Sequence, residues 1–201
     1  FPTRRSSDLM NKHIQELVSR YGNKVVENRR YLHAHPELSF QEEKTARWIR
    51  DALIKAGIPM LEGISGNSTV GYLKGERPGP SIGLRADIDA LGLVEENKLP
   101  YKSITPGVMH GCGHDAHTAV LLAVAEILAA HRELIKGTVY FVFEQAEEFL
   151  PGGAVQLVKD GIMDKIDYMF AIHVDAENPV GTIDIEEGSR FAAVGTYDFK
   201  I

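Results

Sequence analysis

The stretch GTVYFVFEQAEE, Gly137 to Glu148, places an unbroken apolar run, Val139 to Phe143, directly before a group of acidic residues. An apolar run this short, opened by glycine and rich in β-branched and aromatic residues, predicts a strand buried on both faces. IDYMFAIHV, Ile166 to Val174, has the same character, and STVGYLKG and SIGLRADIDAL read as earlier strands separated by the turn-rich GERPGP. Between them Ala116, Ala119, Val120, Ala123, Val124, Ile127 and Leu128 form a broad helical stripe, and Gly153 to Lys159 reads as a further helix. Strands alternating with helices in this way predict an α/β fold, a mixed and largely parallel sheet flanked by helices. In such sheets chemistry sits beyond the carboxyl ends of the strands.

The N-terminal part is helical in pattern. Asn11 to Tyr21 carries Ile14, Leu17 and Val18 and is expected to close at Gly22. A second helix is expected from about Lys24 to Ala34, ending before Pro36. Ser39 and Glu42 have the spacing of a capping box opening a third helix through Trp48, Ile49, Leu53 and Ile54 to Gly57.

Each expected strand end carries chemistry. SIGLRAD ends in Asp87 with Asp89 two residues on, GTVYFVFEQ is followed by Glu147 and Glu148, and IDYMFAIH ends in His173. Just before the long apolar helix lies MHGCGHDAHT, Met109 to Thr118, with three of the eight histidines and the single cysteine. Thiolate, imidazole and carboxylate are the usual ligands of zinc and its neighbours. Gly113 between Cys112 and His114 lets the backbone turn both side chains toward one ion. One carboxylate of the Glu147–Glu148 pair can bind the ion while the other acts as general base for a water, and these residues alone leave open which does which. Taken singly, each feature has a plainer meaning. A lone cysteine is commonly a small buried hydrophobe, paired glutamates a solvated helix start, and Asp87 and Asp89 turn formers. His33 and His35, beside Pro36, are expected to be structural, and His13 and His131 to lie at the surface. The convergence on one sheet edge is what favours a metal site.

Bulk properties narrow the partners. A net charge of −6 and a pI near 5.8 argue against nucleic acid and anionic membranes. No apolar run approaches the ~20 residues that span a bilayer. One cysteine excludes an internal disulfide framework, so a cytoplasmic location is expected. No G-x-G-x-x-G follows the first strand, which sets aside a dinucleotide-binding domain.

The segments RRYLHAHPELSFQEEKT, LRADIDAL, MHGCGHDAHTAVLL, GTVYFVFEQAEE and AIHV with PVGTI together resemble the amidohydrolase branch of the aminoacylase/carboxypeptidase-like metallopeptidases. That group includes hippurate hydrolase, indole-3-acetyl-amino-acid hydrolases and N-acetyldiaminopimelate deacetylase. The likeness runs from about Val25 to the C-terminus. It implies a zinc-exopeptidase-like catalytic domain, with Cys112, His114, Glu148 and His173 as ligands of two divalent ions, manganese or zinc, with cobalt or nickel as further candidates. Glu147 becomes the general base that activates water and then protonates the leaving amine of an N-acyl amino acid or similar small amide. A dipeptidase or aminopeptidase on the same scaffold, or a metal-binding fragment without turnover, are the alternatives. Related branches place a histidine ligand where this chain has Asp87, which makes Asp87 an outside candidate for a metal ligand or for a group supporting the ligands.

The chain departs from the family at Glu144-Gln145, where Gln-Pro is usual, at Gly92, where proline is usual, and at Phe149-Leu150-Pro151, where glycines are typical. These changes border the site and bear on the substrate. Members run to about twice this length, with a lid and dimerisation domain after PVGTI. With no methionine before Met10, residues 1–9 are expected to be a leader of unknown origin; the resemblance implies a catalytic domain over 10–188 and, at 189–201, the first strand of that lid domain. A full-length form is expected to be a homodimer, and residues 1–201 alone to hydrolyse amides at best marginally.

Overall fold

The computed structural model describes residues 4–185 and 187–188, and the strand expected at 189–201 lies outside them. Four strands, β1 (Thr69–Lys74), β2 (Arg77–Asp87), β3 (Lys136–Glu144) and β4 (Tyr168–Ala171), form one sheet in the order β1-β3-β2-β4. Its helices are α1 (Arg4–Ala34), α2 (Glu43–Lys55), α3 (His114–Ala130) and α4 (Gly153–Lys159). β2 runs parallel to both β3 and β4, and only β1 is antiparallel. The mixed, largely parallel sheet is the architecture expected from the strand–helix alternation.

β3 shows why its sequence reads as a continuous apolar run. Val139, Phe141 and Phe143 point to one face, into a core built with Ile49 and Leu53 of α2 and Leu121, Leu122 and Ala125 of α3. Val142 points to the other, against Leu157 of α4, Val70 and Ile162. Both faces are covered, so the strand needs no polar alternation. Register then fixes the functional edge. Asp87 lies opposite Glu144, and Arg85 opposite Ala171, so the three parallel strands end together.

Three local expectations are corrected. The first two helices are one, because α1 continues through Gly22 to Ala34 and takes in residues 4–9 as well. An interior glycine costs about 1 kcal/mol against alanine, which does not stop a helix that packs along α3. Ser39 and Glu42 form no capping box. Phe40 between them has φ 65, so the segment is a turn, and α2 starts at Glu43 with no side-chain cap. GERPGP is not all turn, because strand β2 already begins within it at Arg77. Among the described residues no helix is long and apolar enough to cross a membrane.

Truncating Phe141, fully buried at the sheet centre, to alanine should cost about 3–5 kcal/mol. Val158→Ala, on the exposed side of α4, should stay within about 0.5 kcal/mol. Urea unfolding of both variants checks this, and equal losses would show that the core is not where the structure puts it.

Candidate metal centre

Gly113 caps the N-terminus of α3 with φ 94, and a Cβ there would collide with Val174. Both constraints require glycine, and the turn brings Cys112 and His114 to the sheet edge. His114 is buried. Its Nδ1 lies 3.0 Å from the Asp89 carbonyl and 3.1 Å from Asp89 Oδ1, which leaves Nε2 facing the strand ends. There it meets Asp87 Oδ2 at 3.7 Å, Glu148 Oε1 at 3.7 Å and Glu147 Oε2 at 3.8 Å. These separations are too long for hydrogen bonds. Both His114 Nε2 and Glu148 Oε1 are buried with no hydrogen-bond partner.

On the other side of His114, Cys112 Sγ lies 3.4 Å from His173 Nε2. His173 Nδ1 is 2.7 Å from the Val174 carbonyl, to which it donates. Nε2 is therefore the ring nitrogen with a lone pair, aimed at the thiol. Ligand atoms of Cys112, His114 and His173 lie within 4.8 Å of one another, as do those of His114, Glu147 and Glu148. His114 belongs to both sets. The structure thus brings together all five residues singled out from the sequence.

His117, one turn along α3, is a residue the sequence reading missed. It forms a third such set with Asp87 and His114, yet both its ring nitrogens are committed. Nε2 accepts the Val174 N–H at 2.9 Å, so Nδ1 carries the proton and donates to Asp87 Oδ1 at 2.6 Å. His117 therefore braces Asp87 and the segment after β4. The available signal was its i+3 spacing from His114, which puts both rings on one helix face. Asp87 also takes Arg85 Nη1 at 3.0 Å, and Arg85 Nε bonds Glu144 Oε2 at 2.6 Å. Asp89 is a second brace: its Oδ2 accepts the Ser39 hydroxyl at 2.7 Å and the Glu148 N–H at 3.0 Å.

The electrostatics are those of a site rich in buried negative charge. Burial works to raise Asp87, but the His117 hydrogen bond and the positive charges of His114 and Arg85 hold it at about 2. Burial and the adjacent Glu148 raise Glu147 above the usual carboxylate range. Burial, followed by the hydrogen bond and charge of Glu148, pushes the Cys112 thiol up to about 12. Burial works to lower His114, but Asp89 and Asp87 outweigh it and raise it. A divalent cation inverts this balance, favouring thiolate and neutral imidazole. Soft and hard donors, one partnerless imidazole nitrogen and oxygens beyond hydrogen-bond reach fit such an ion.

The sequence model of peptidase family M20/M25/M40 matches residues 83–200. The chain belongs to this family. An N-acyl-L-amino acid amidohydrolase of Geobacillus stearothermophilus is 43% identical over 94% of the chain and 51% of that relative. An N-acetylcysteine deacetylase of Bacillus subtilis is 38% identical over 90% of the chain and 48% of that relative. Among solved structures, the Bacillus subtilis YxeP protein, described as a dinuclear metal-binding peptidase of the M20 family, superposes with a TM-score of 0.81. It is 40% identical, over 85% of this chain and 47% of that one. The chain spans about half the length of the relatives it matches.

Behind the candidate metal centre, α1 is pinned to the first turn of α3. His33 is buried with Nδ1 2.8 Å from Asp115 Oδ2 and Nε2 3.1 Å from Glu95 Oε1, and Arg29 Nε reaches the same Asp115 oxygen at 2.8 Å. The Asp115 hydrogen bond raises the His33 pKa above its usual 6.5, against the effect of burial and with help from Glu95. A raised histidine contributes stability that is fully present below 6.5 and is lost as pH rises through the folded value. The stability gap between the parent and His33→Gln should therefore be widest in mildly acidic solution and narrow in alkali. Urea unfolding on either side of that value measures it, and a gap independent of pH would contradict the assignment.

Proposed function

We propose that the chain holds two divalent ions through Cys112, His114, Glu148 and His173 and hydrolyses the amide bond of N-acyl amino acids with Glu147 as general base. The observation that supports this best is His114 Nε2, buried and unbonded, with three carboxylate oxygens at 3.7–3.8 Å. The relatives' names support the substrate class, since they act on N-acyl-L-amino acids and N-acetylcysteine. The cysteine favours a softer ion such as zinc, and the carboxylates also suit manganese.

Divalent ions at such a site polarise the amide carbonyl and make water a stronger acid. The rest falls to the protein. The Glu147 side chain is 41% exposed, open enough to meet a water. Its carboxylate takes one proton as the water oxygen bonds to the amide carbon. The C–N bond then breaks, and Glu147 returns that proton to the departing amine nitrogen. Carboxylic acid and free amine are the products, and Glu147 ends as it began. A carboxylate raised by burial and by Glu148 suits both transfers, because its pKa moves toward neutral pH. Asp89 keeps His114 turned so that Nε2 faces the ions, and Glu148 beside the base stays a ligand.

Elemental analysis and hydrolysis of N-acetyl and N-benzoyl amino acids, with manganese or zinc added, test the reading on the parent, Cys112→Ser and Glu147→Gln. Glu147→Gln should keep its metal and, in a chain as long as the relatives, lose about 10²–10⁴-fold in hydrolysis. Cys112→Ser should lose metal. Metal content that is equal in parent and Cys112→Ser, or lost in Glu147→Gln, would overturn the assignment.

A further inference from the structure

Glu42 is a fully buried carboxylate outside the metal-binding sets, and no ion pair with it occurs among the described residues. A buried charge is retained only where donors replace the water it lost. Here the donors are one backbone amide and one side-chain amide. Glu42 Oε1 accepts the Ala146 N–H at 2.7 Å and Oε2 accepts the Asn67 side-chain amide at 3.1 Å.

One of those donors, Ala146, has an unusual backbone conformation, and so does Phe40 in the turn that leads into Glu42. Phe40, φ 65, and Ala146, φ 50, are the non-glycine residues with positive φ among the described residues. A side chain in the left-handed region costs free energy and persists only where the surroundings hold it. Ala146 gives its N–H to the Glu42 carboxylate, and Phe40 lies two residues before Glu42 in the chain.

Their neighbours in the chain connect them to the metal centre. Ala146 immediately precedes Glu147 and Glu148. Its turn is gripped further where Gln145 N–H bonds Ser68 Oγ at 3.2 Å and Gln145 Oε1 accepts the Asn67 N–H at 2.6 Å. On the other side, Ser39 beside Phe40 donates to Asp89 Oδ2, the oxygen that takes the Glu148 N–H. The rings of Phe40 and Phe149 meet edge to face at 6.4 Å. One buried carboxylate thus joins the turn before α2 to the turn that presents the glutamate pair.

We propose that Glu42 is a positioning residue of the metal centre, its carboxylate holding Ala146 left-handed so that Glu147 and Glu148 face His114. This rests on the metal-centre reading above. Glu42 acts through Ala146 and touches neither ion nor substrate.

The test is cobalt(II) titration by visible absorption at a temperature where circular dichroism shows each variant folded. Glu42→Met fills the same space without an acceptor. It should weaken cobalt affinity by about 10–100-fold, the usual cost of losing a group that orients a ligand. Glu42→Gln keeps an oxygen for the Ala146 N–H and should bind like the parent. Ala146→Gly in the Glu42→Met background should restore much of the affinity, because glycine adopts positive φ without strain. This double variant also decides the matter should Glu42→Met not fold. A purely structural Glu42 predicts a lower melting temperature with parental affinity in Glu42→Met, and that result overturns the proposal, as does failure of Ala146→Gly to rescue. A parent chain that takes up no cobalt contradicts the metal-centre reading instead. Carbon chemical shifts of Ala146 then judge the turn without metal: left-handed in the parent and Glu42→Gln but not in Glu42→Met supports the proposal, and no change in Glu42→Met overturns it.

Discussion

A buried imidazole nitrogen facing three carboxylate oxygens beyond hydrogen-bond reach is the arrangement on which this structure turns. Charges of one sign brought out of water repel and lose solvation, and positive charge between them relieves both costs. Arg85 and the imidazoles offset part of this within the protein. Asp87, with Arg85 and His117 bonded to it, is held at about 2, while Glu147 is raised by burial and by its neighbour. The pair of opposite shifts separates the firmly ionised Asp87 from Glu147, the proposed base.

The scaffold answers to that requirement. Parallel pairing of β2 with β3 and β4 ends three strands at one edge, and the glycine turn before α3 adds Cys112 and His114 to it. The groups around the cluster orient it. Asp89 holds His114 and the Glu148 amide, His117 holds Asp87 and Val174, and Val174 holds His173. These hydrogen bonds tie the proposed ligands to different parts of the fold, a rigidity that metal sites need.

Much of this was legible in the sequence. Val139 to Phe143 announces a strand covered on both faces, and Asp87, Glu147, Glu148 and His173 each lie at or just beyond the end of such a strand. Their convergence with Cys112 and His114 came from topology, which strand–helix alternation predicts well. Less legible was anything set by tertiary contact. Ser39 and Glu42 have the spacing of a capping box, but Asp89 and Ala146 compete for their side chains and win. Phe40 and Ala146 turn left-handed with no glycine to signal it. Gly22 looks like a helix end because helix propensity is local, whereas the packing of α1 on α3 is not. His117 was hidden inside an apolar helical stripe, and its partner Asp87 is distant in sequence.

Anomalous diffraction from a crystal of the protein soaked in zinc or manganese tests the central claim most directly. The account predicts two anomalous peaks, each about 2.0–2.3 Å from its nearest ligand atoms among Cys112 Sγ, His114 Nε2, a Glu148 carboxylate oxygen and His173 Nε2. Ions bound elsewhere, with His114 Nε2 still without a ligand in a metal-saturated crystal, would contradict it.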